Sequence, residues 1–431
     1  MSITRRDFVT TTTGVVVAAT LPRRGFGIGR PDADPIRIGV IGCGGRGTGA
    51  TRDALAASEN VSIVALGDVF PDKLSRAREQ FTRIAGENAS FAAKYQVTEE
   101  RCFVGLDAID QVLAADIDLA ILATPPAFRS MHLTKAIAAG KHVFMEKPVA
   151  VDVAGALAVI AASDRAREQG LAIVSGTQRR HDPRYIETIR RLHDGAIGEL
   201  QSGQVYWNQG GLWSFPRQPE WSDTEWQLRN WLYFTWLSGD HIVEQHVHNI
   251  DVANWVMDAV PVRATGSGGR QVRTSPDYGH IFDHFAVEYE YPGGQRVWSM
   301  CRQQDGTASK VGEAFQGTRG RSNGYDRIEG RRTWRHAELQ GMNPYVEEHR
   351  HLVASIRAGK PLNEGRRIAE STLTAIMGRE SAYTGQTVTM EELLASGQSL
   401  LPQPVAFGPL PVPPVPMPGE TRLDRSFNEG W

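Results

Sequence analysis

Three groups of residues have the types and spacing for chemistry. The first is Gly42-Cys43-Gly44-Gly45-Arg46-Gly47, which ends the apolar run 36–41. Gly42 permits a tight turn, Gly44 lets backbone N–H groups approach a pyrophosphate, and Gly47 lets the following helix lie close on the strand. Phosphates would then rest at the positive end of the helix dipole, with Cys43 and Arg46 completing the cradle. A second apolar run, 61–67, stops at Asp68, where a carboxylate would take ribose hydroxyls. Asp68 favours NAD, because a carboxylate repels a 2′-phosphate; NADP stays open. The second group follows two further apolar runs: Thr124-Pro125, with His132 in the next helix, and Glu146-Lys147-Pro148. In parallel sheets, ligands bind beyond the carboxyl ends of strands. The third is His241, Glu244, His248, Asp251 and Trp255. On one continuous helix these fall on one side, within an arc of roughly 80°. His248 can take a hydroxyl proton, with Glu244 one turn earlier to hold its tautomer. His241, Glu244 and His248 could instead bind Zn²⁺; no metal is expected, since a nicotinamide already supplies the electrophile.

The elements that must position these groups follow from periodicity. From 36 to 175 short apolar runs alternate with helical patterns, which argues for βαβ units and a parallel sheet. After 260 the pattern turns to strands: 284–291 and 295–302 form a hairpin about Pro292-Gly293-Gly294, and 313–320 is a further strand. Helices are expected at 345–356 and 366–383. The fold class is therefore α/β: a Rossmann doubly wound parallel sheet followed by an α+β domain with an open, mostly antiparallel sheet. The expected divisions are 1–35 (signal and linker), 36–160 (Rossmann domain), 161–395 (substrate domain, its late helices packing back on the first) and 396–431 (a Pro-rich tail). That tail is either a disordered terminus or an arm over a neighbouring subunit.

Composition bounds the function. The chain has 431 residues, 41% of them hydrophobic, and a formal net charge of −2, enough for two cores and no reason to expect nucleic acid. Cys43, Cys102 and Cys301 are too scattered for a disulfide framework or a thiolate metal site. Thr4-Arg5-Arg6-Asp7-Phe8, followed by a small-residue apolar stretch at 10–21, resembles a twin-arginine export signal. It implies a periplasmic or otherwise exported protein, folded with its cofactor, with no membrane span in the mature chain. Trp207, Trp213, Trp221, Trp226, Trp231 and Trp236 crowd one segment, as either a carbohydrate cleft or a core.

Gly42 to Gly47, Asp68, Thr124-Pro125, Glu146-Lys147-Pro148 and the stretch from Gly176 to Tyr185 together resemble the Gfo/Idh/MocA family of glucose-fructose oxidoreductase and inositol dehydrogenase. The resemblance implies that Lys147 sits beside the nicotinamide and the reacting hydroxyl. It implies that His248 faces Lys147 across the cleft, with Glu244 in place of the family's Asp and Asp251 as the second acid. Arg180, Trp226, His241 and Asp251 are assigned to the substrate, Glu146 to the cofactor, and the open sheet to contact within a homo-oligomer. The expected function is an exported NAD(P)-dependent oxidoreductase acting at a secondary hydroxyl or carbonyl of a sugar, glycoside or cyclitol, with a tightly bound, recycled cofactor. The alternatives are a glycoside hydrolase or lyase working through transient oxidation and elimination, and a non-catalytic sugar-binding scaffold.

Overall fold

The computed structural model describes residues 34–427; the export-signal stretch lies outside them. The first domain has strands β1 (Ile36–Ile41), β2 (Val61–Asp68), β3 (Cys102–Val104), β4 (Leu119–Leu122), β5 (His142–Met145) and β6 (Ile173–Ser175). They form one parallel sheet in the order β3-β2-β1-β4-β5-β6. Helices cover both faces, so β2 and β4 are buried at every position and read as unbroken apolar runs. The order reverses between β1 and β4, whose carboxyl ends are level: Ile41 pairs with Leu122. Gly42 and Thr124 therefore emerge side by side at the crevice where such sheets bind ligands. The Rossmann unit does not end at residue 160. The run after it is a sixth strand, hydrogen-bonded to β5, and takes the unit to 175.

The second domain is built on β7 (Leu200–Gln209), β8 (Arg263–Gly269), β9 (His284–Glu290), β10 (Arg296–Gln303), β11 (Lys310–Gly317), β12 (Gly320–Ser322), β13 (Arg327–Gly330), β14 (Trp334–Arg335) and β15 (Val388–Thr389). The sheet order is β14-β13-β12-β11-β7-β10-β9-β8-β15. Only the β7–β10 pairing is parallel, and the β9–β10 hairpin stands where the alternation predicts it. Val205, Phe285, Val287, Tyr289, Val297, Cys301 and Phe315 make the inner face, buried with residues of the helices Val247–Met257 and Gly365–Thr384. The latter also packs on the helix Val153–Glu168, and the helix Pro344–Arg357 packs on Gly45–Ala57, so the late helices return to the first domain.

The described part of the tail, to residue 427, contacts the body of the protein. It lies along its own chain: the Leu400 N–H donates to Asp152, the Gly408 carbonyl accepts from the Thr224 N–H, and Arg425 pairs with Glu380. Trp226 and Trp236 share a core cluster with Phe70, Phe128 and Leu400. For these two tryptophans the core reading holds.

The glycine turn gives a direct test. A Cβ on Gly47 would lie 1.8 Å from the Gly42 carbonyl oxygen, whereas one on Gly44 would meet nothing within 4 Å. Gly47→Ala should lower stability by about 1–3 kcal/mol, as overpacking does, read as a fall in the urea midpoint. Gly44→Ala should leave that midpoint unchanged and weaken dinucleotide binding.

Candidate active site

Gly42 has φ +95°, and a Cβ on it would sit 2.6 Å from the backbone of Ala123 and Thr124. No side chain caps the helix Gly45–Ala57, so its first N–H groups are left for an anion. With the open space beyond Gly44, these residues fit a dinucleotide pyrophosphate. At the end of β2, Asp68 accepts from the Cys43 N–H at 2.6 Å and the Phe70 N–H at 2.9 Å. Burial raises its pKa. The two donors fix the carboxylate beside the turn, and each oxygen keeps a lone pair for a ribose hydroxyl.

Arg46 serves the turn in a different way from the one expected. Its side chain leaves the phosphate side, donating to Glu146 at 2.5 Å and to Asp53 at 3.2 Å, and lies over the Tyr345 ring. Only its backbone belongs to the cradle. Glu146 is thereby a brace between β5 and the turn. Nearby Glu348 is fully buried, with neither carboxyl oxygen hydrogen-bonded. Burial, then the Glu146 charge, raise its pKa well above the ordinary range, and Arg46 pairs with Glu146 instead. After β4, Arg129 donates to the carbonyls of Leu122 and Thr124, which fixes the Thr124-Pro125 loop. His132 lies 3.2 Å from the Thr124 hydroxyl; burial pushes its pKa down to about 3, so it supports this loop as a neutral ring.

Lys147 follows β5 and reaches the second domain. Its ammonium donates to the Glu244 backbone carbonyl at 2.6 Å and to Glu244 Oε1 at 3.0 Å. Glu244 therefore holds Lys147 rather than the tautomer of His248. The reason is a break in the expected continuous helix: His241–Glu244 and Val247–Met257 are separate segments. The N–H groups of both Gln245 and His246 reach back to the His241 carbonyl, a widened turn that shifts the phase of the second segment against the first. Asp240 sets the first segment. It is fully buried at φ +69°, one oxygen accepting from the His241 N–H and the other from the Phe282 N–H and Tyr383 hydroxyl.

His248 stacks on Trp207 of β7, ring centroids 5.8 Å apart. It is 6% exposed, and neither ring nitrogen has a hydrogen-bond partner among the described residues. Burial, then the charges of Lys147, Arg179 and Arg46, lower its pKa well below 6.5, so the imidazole is neutral. Lys147 and His248 are thus within electrostatic reach of one another across the domain boundary.

The remaining expectations need revision. Arg180 and Asp251 form a two-pronged pair at 2.8 and 3.0 Å, Asp251 also accepts from the Ser371 hydroxyl, and Arg180 covers Trp255. With Asp251 only 1% exposed, this pair braces the helix instead of reaching substrate. His241 is held by Asp240 at 3.0 Å and packs on Phe285; Trp226 is core. His241 and Glu244 are each engaged by other groups, and among the described residues no three His, Cys, Asp or Glu side chains could hold a metal. The cleft residues that sequence reasoning left unassigned are Arg179 and Glu313, and of the tryptophans weighed for a carbohydrate cleft, Trp207 stacks on His248. Arg179 lies over Trp207 and pairs with Glu313, which also accepts from Asn249 at 2.6 Å and Tyr185 at 3.2 Å. Trp207 carried a signal, since it stands on an alternating strand.

Residues 36–175 match the family model GFO_IDH_MocA, described as an oxidoreductase family with an NAD-binding Rossmann fold; this part is an NAD-binding Rossmann domain. The chain is 29% identical over 245 residues to an inositol 2-dehydrogenase of Acidothermus cellulolyticus, covering 56% of this chain and 60% of that one. It is 29% identical over 217 residues to a glycosyl hydrolase family 109 protein of Streptomyces coelicolor, covering 49% and 42%. The chain thus spans about half of the length of these curated relatives. Across most of both chains the fold is that of aldose-aldose oxidoreductase from Caulobacter crescentus, with TM-score 0.63 and 20% identity over 82% of this chain and 99% of that one.

Buried neutral histidines set an acid limit on stability. His132, His246, His280 and His349 all have pKa values lowered to about 3 by burial, and His248 is lowered as well. Unfolding frees them to protonate near 6.5. Their contribution is therefore complete above pH 6.5 and is lost as pH falls towards the folded values, at up to about 1.4 kcal/mol per pH unit for each ring. The urea midpoint should fall steeply between pH 6.5 and 5.

Proposed function

We propose that the protein oxidises a secondary hydroxyl, or reduces the matching carbonyl, on a neutral sugar or cyclitol ring. The observation that carries this reading is the contact of Lys147, at the end of a Rossmann strand, with Glu244, four residues before His248 in the second domain. A bound nicotinamide would supply the hydride acceptor or donor. Two of the three donors of the Lys147 ammonium go to Glu244, which leaves the third for the substrate oxygen. The neutral imidazole of His248 has a free lone pair to take the hydroxyl proton.

The substrate class follows from charge. Lys147, Arg179 and Arg46 each have a carboxylate partner, Glu244, Glu313 and Glu146. An anionic ring would have to break one of these pairs to find a cation, and for the buried Lys147 and Arg179 pairs that costs several kcal/mol. A relative named for inositol agrees with a neutral polyol. We extend the reading to export along the twin-arginine route, with a resident dinucleotide reset within the site.

The test is to recover the full chain from the periplasmic fraction, identify what co-purifies by mass spectrometry, and follow the nicotinamide absorbance with a panel of neutral sugars, cyclitols and uronates. Turnover with neutral rings supports the reading. Leaving-group release from a chromogenic glycoside with no net absorbance change would replace it with transient-oxidation hydrolysis. A bound dinucleotide that no ring oxidises or reduces would make the protein a scaffold. Lys147→Met and His248→Gln should each lower kcat by about 10²–10⁴; His248→Gln should leave the unfolding midpoint at pH 7 in place, whereas Lys147→Met, which strands the buried Glu244 carboxylate, should lower it.

Self-association belongs to the same proposal. The outer face of the nine-stranded sheet exposes Trp298 and Met300, 51% and 44% accessible, beside Tyr206. A second copy of the chain covers this face. Trp298→Asp with Met300→Asp should yield a monomer by light scattering while the wild type runs as an oligomer.

A further inference from the structure

We infer that the carboxy-terminal strap retains the dinucleotide, with Phe407 as the outer wall of its adenosine end; this rests on the dinucleotide-dependent function proposed above. The strap is pinned where it leaves the body of the protein and again where it returns. At the first end, Leu400 donates to Asp152 at 2.6 Å, and Asp152 also caps the helix Val153–Glu168. At the second, Arg425 grips both oxygens of Glu380 at 2.8 and 3.0 Å. Arg379 donates to Glu380 at 2.8 Å and to Gln398 at 2.9 Å. Arg379, Glu380, Gln398 and Arg425 are all buried, so neither end is free to drift.

Between the anchors the chain runs out to the Rossmann domain. Gly408 accepts from the Thr224 N–H and hydroxyl, and Leu410 both donates to Asp223 and accepts from Gln227. These bonds fix the backbone immediately after Phe407. Its ring meets Phe70 at a centroid distance of 6.3 Å. Phe70 is two residues beyond Asp68 and donates its N–H to that carboxylate; on the same ring lies the Arg229 guanidinium, 4.0 Å from the centroid.

Phe407 keeps 47% of its surface exposed while its neighbours are tied by backbone bonds. A half-exposed aromatic ring is therefore held against Phe70, two residues beyond the carboxylate that would take the adenosine ribose. Adenine is flat and aromatic, and stacking on such a face contributes about 1 kcal/mol, roughly a fivefold factor in release rate. The Pro-rich strap is already extended, so little entropy opposes holding it in place.

The test uses holoenzyme loaded with NADH and measures release by the loss of nicotinamide fluorescence on dilution into a scavenging dehydrogenase. Phe407→Ala should release NADH about fivefold faster, and Phe407→Trp should release it no faster than wild type. The urea midpoint of cofactor-free Phe407→Ala should match that of the wild type. Unchanged release from Phe407→Ala overturns the inference, as does a lowered cofactor-free midpoint accompanied by equal release from the alanine and tryptophan variants. If the wild-type protein takes up no NADH, the dinucleotide reading fails first, and that result is distinct from binding with unaltered release.

Discussion

The ion pair between Lys147 and Glu244 is the contact on which the rest of the structure depends. It is made by residues 97 positions apart, one at the mouth of a parallel sheet and the other in a short helix of a different domain. Both side chains are about nine-tenths buried. A charge taken out of water needs a partner in good geometry, and here the ammonium has a backbone carbonyl as well as a carboxylate. The two domains are thus locked at the point where the chemistry is proposed to occur. A displacement of either would leave a buried charge unpaired.

The surroundings hold that point against relaxation. Asp240 adopts a backbone conformation that costs on the order of 1–3 kcal/mol for a residue with a side chain. Its carboxylate offsets the strain by gathering two backbone N–H groups and a tyrosine hydroxyl. That anchorage sets the direction of His241–Glu244, and the widened turn after it lets Val247–Met257 lie on the sheet in a different phase. Trp207 then receives His248. One helix without a break would have sent Glu244 and His248 to the same side, so the interruption gives each its own task.

The same division separates the features that were legible in the sequence from those that were hidden. The glycine turn and the placements of Asp68 and Lys147 were legible because they are fixed locally, by backbone conformation or by position at a strand end. The parallel sheet and the β9–β10 hairpin were legible from periodicity, the strand orders were not. The break at Gln245-His246 was not, because no Gly or Pro marks it and its cause is the tertiary anchoring of Asp240. Nor could sequence distinguish Arg179 from Arg180. They are neighbours in a short turn, and only the packed structure shows one committed to Asp251 and the other brought to Trp207. The course of the tail was equally hidden. Its proline content speaks for extension, while its path is decided by partners such as Glu380 and Asp152, far away in the chain.

The electrostatics of the cleft explain why these residues come in pairs. Lys147, Arg179 and Arg46 all act on His248 in the same sense, lowering its pKa. Left uncompensated, three cations around one imidazole would attract any passing anion and would repel the positive ring of an oxidised nicotinamide. Glu244, Glu313 and Glu146 each remove one of those charges while leaving N–H donors in place. Hydrogen-bonding capacity is thereby separated from net charge. Such a surface can grip hydroxyl groups by direction and distance, and it gives a carboxylate or phosphate no unpaired cation to bind. The burial that keeps His248 neutral belongs to the same arrangement: the ring adds a lone pair to the cleft without adding a charge.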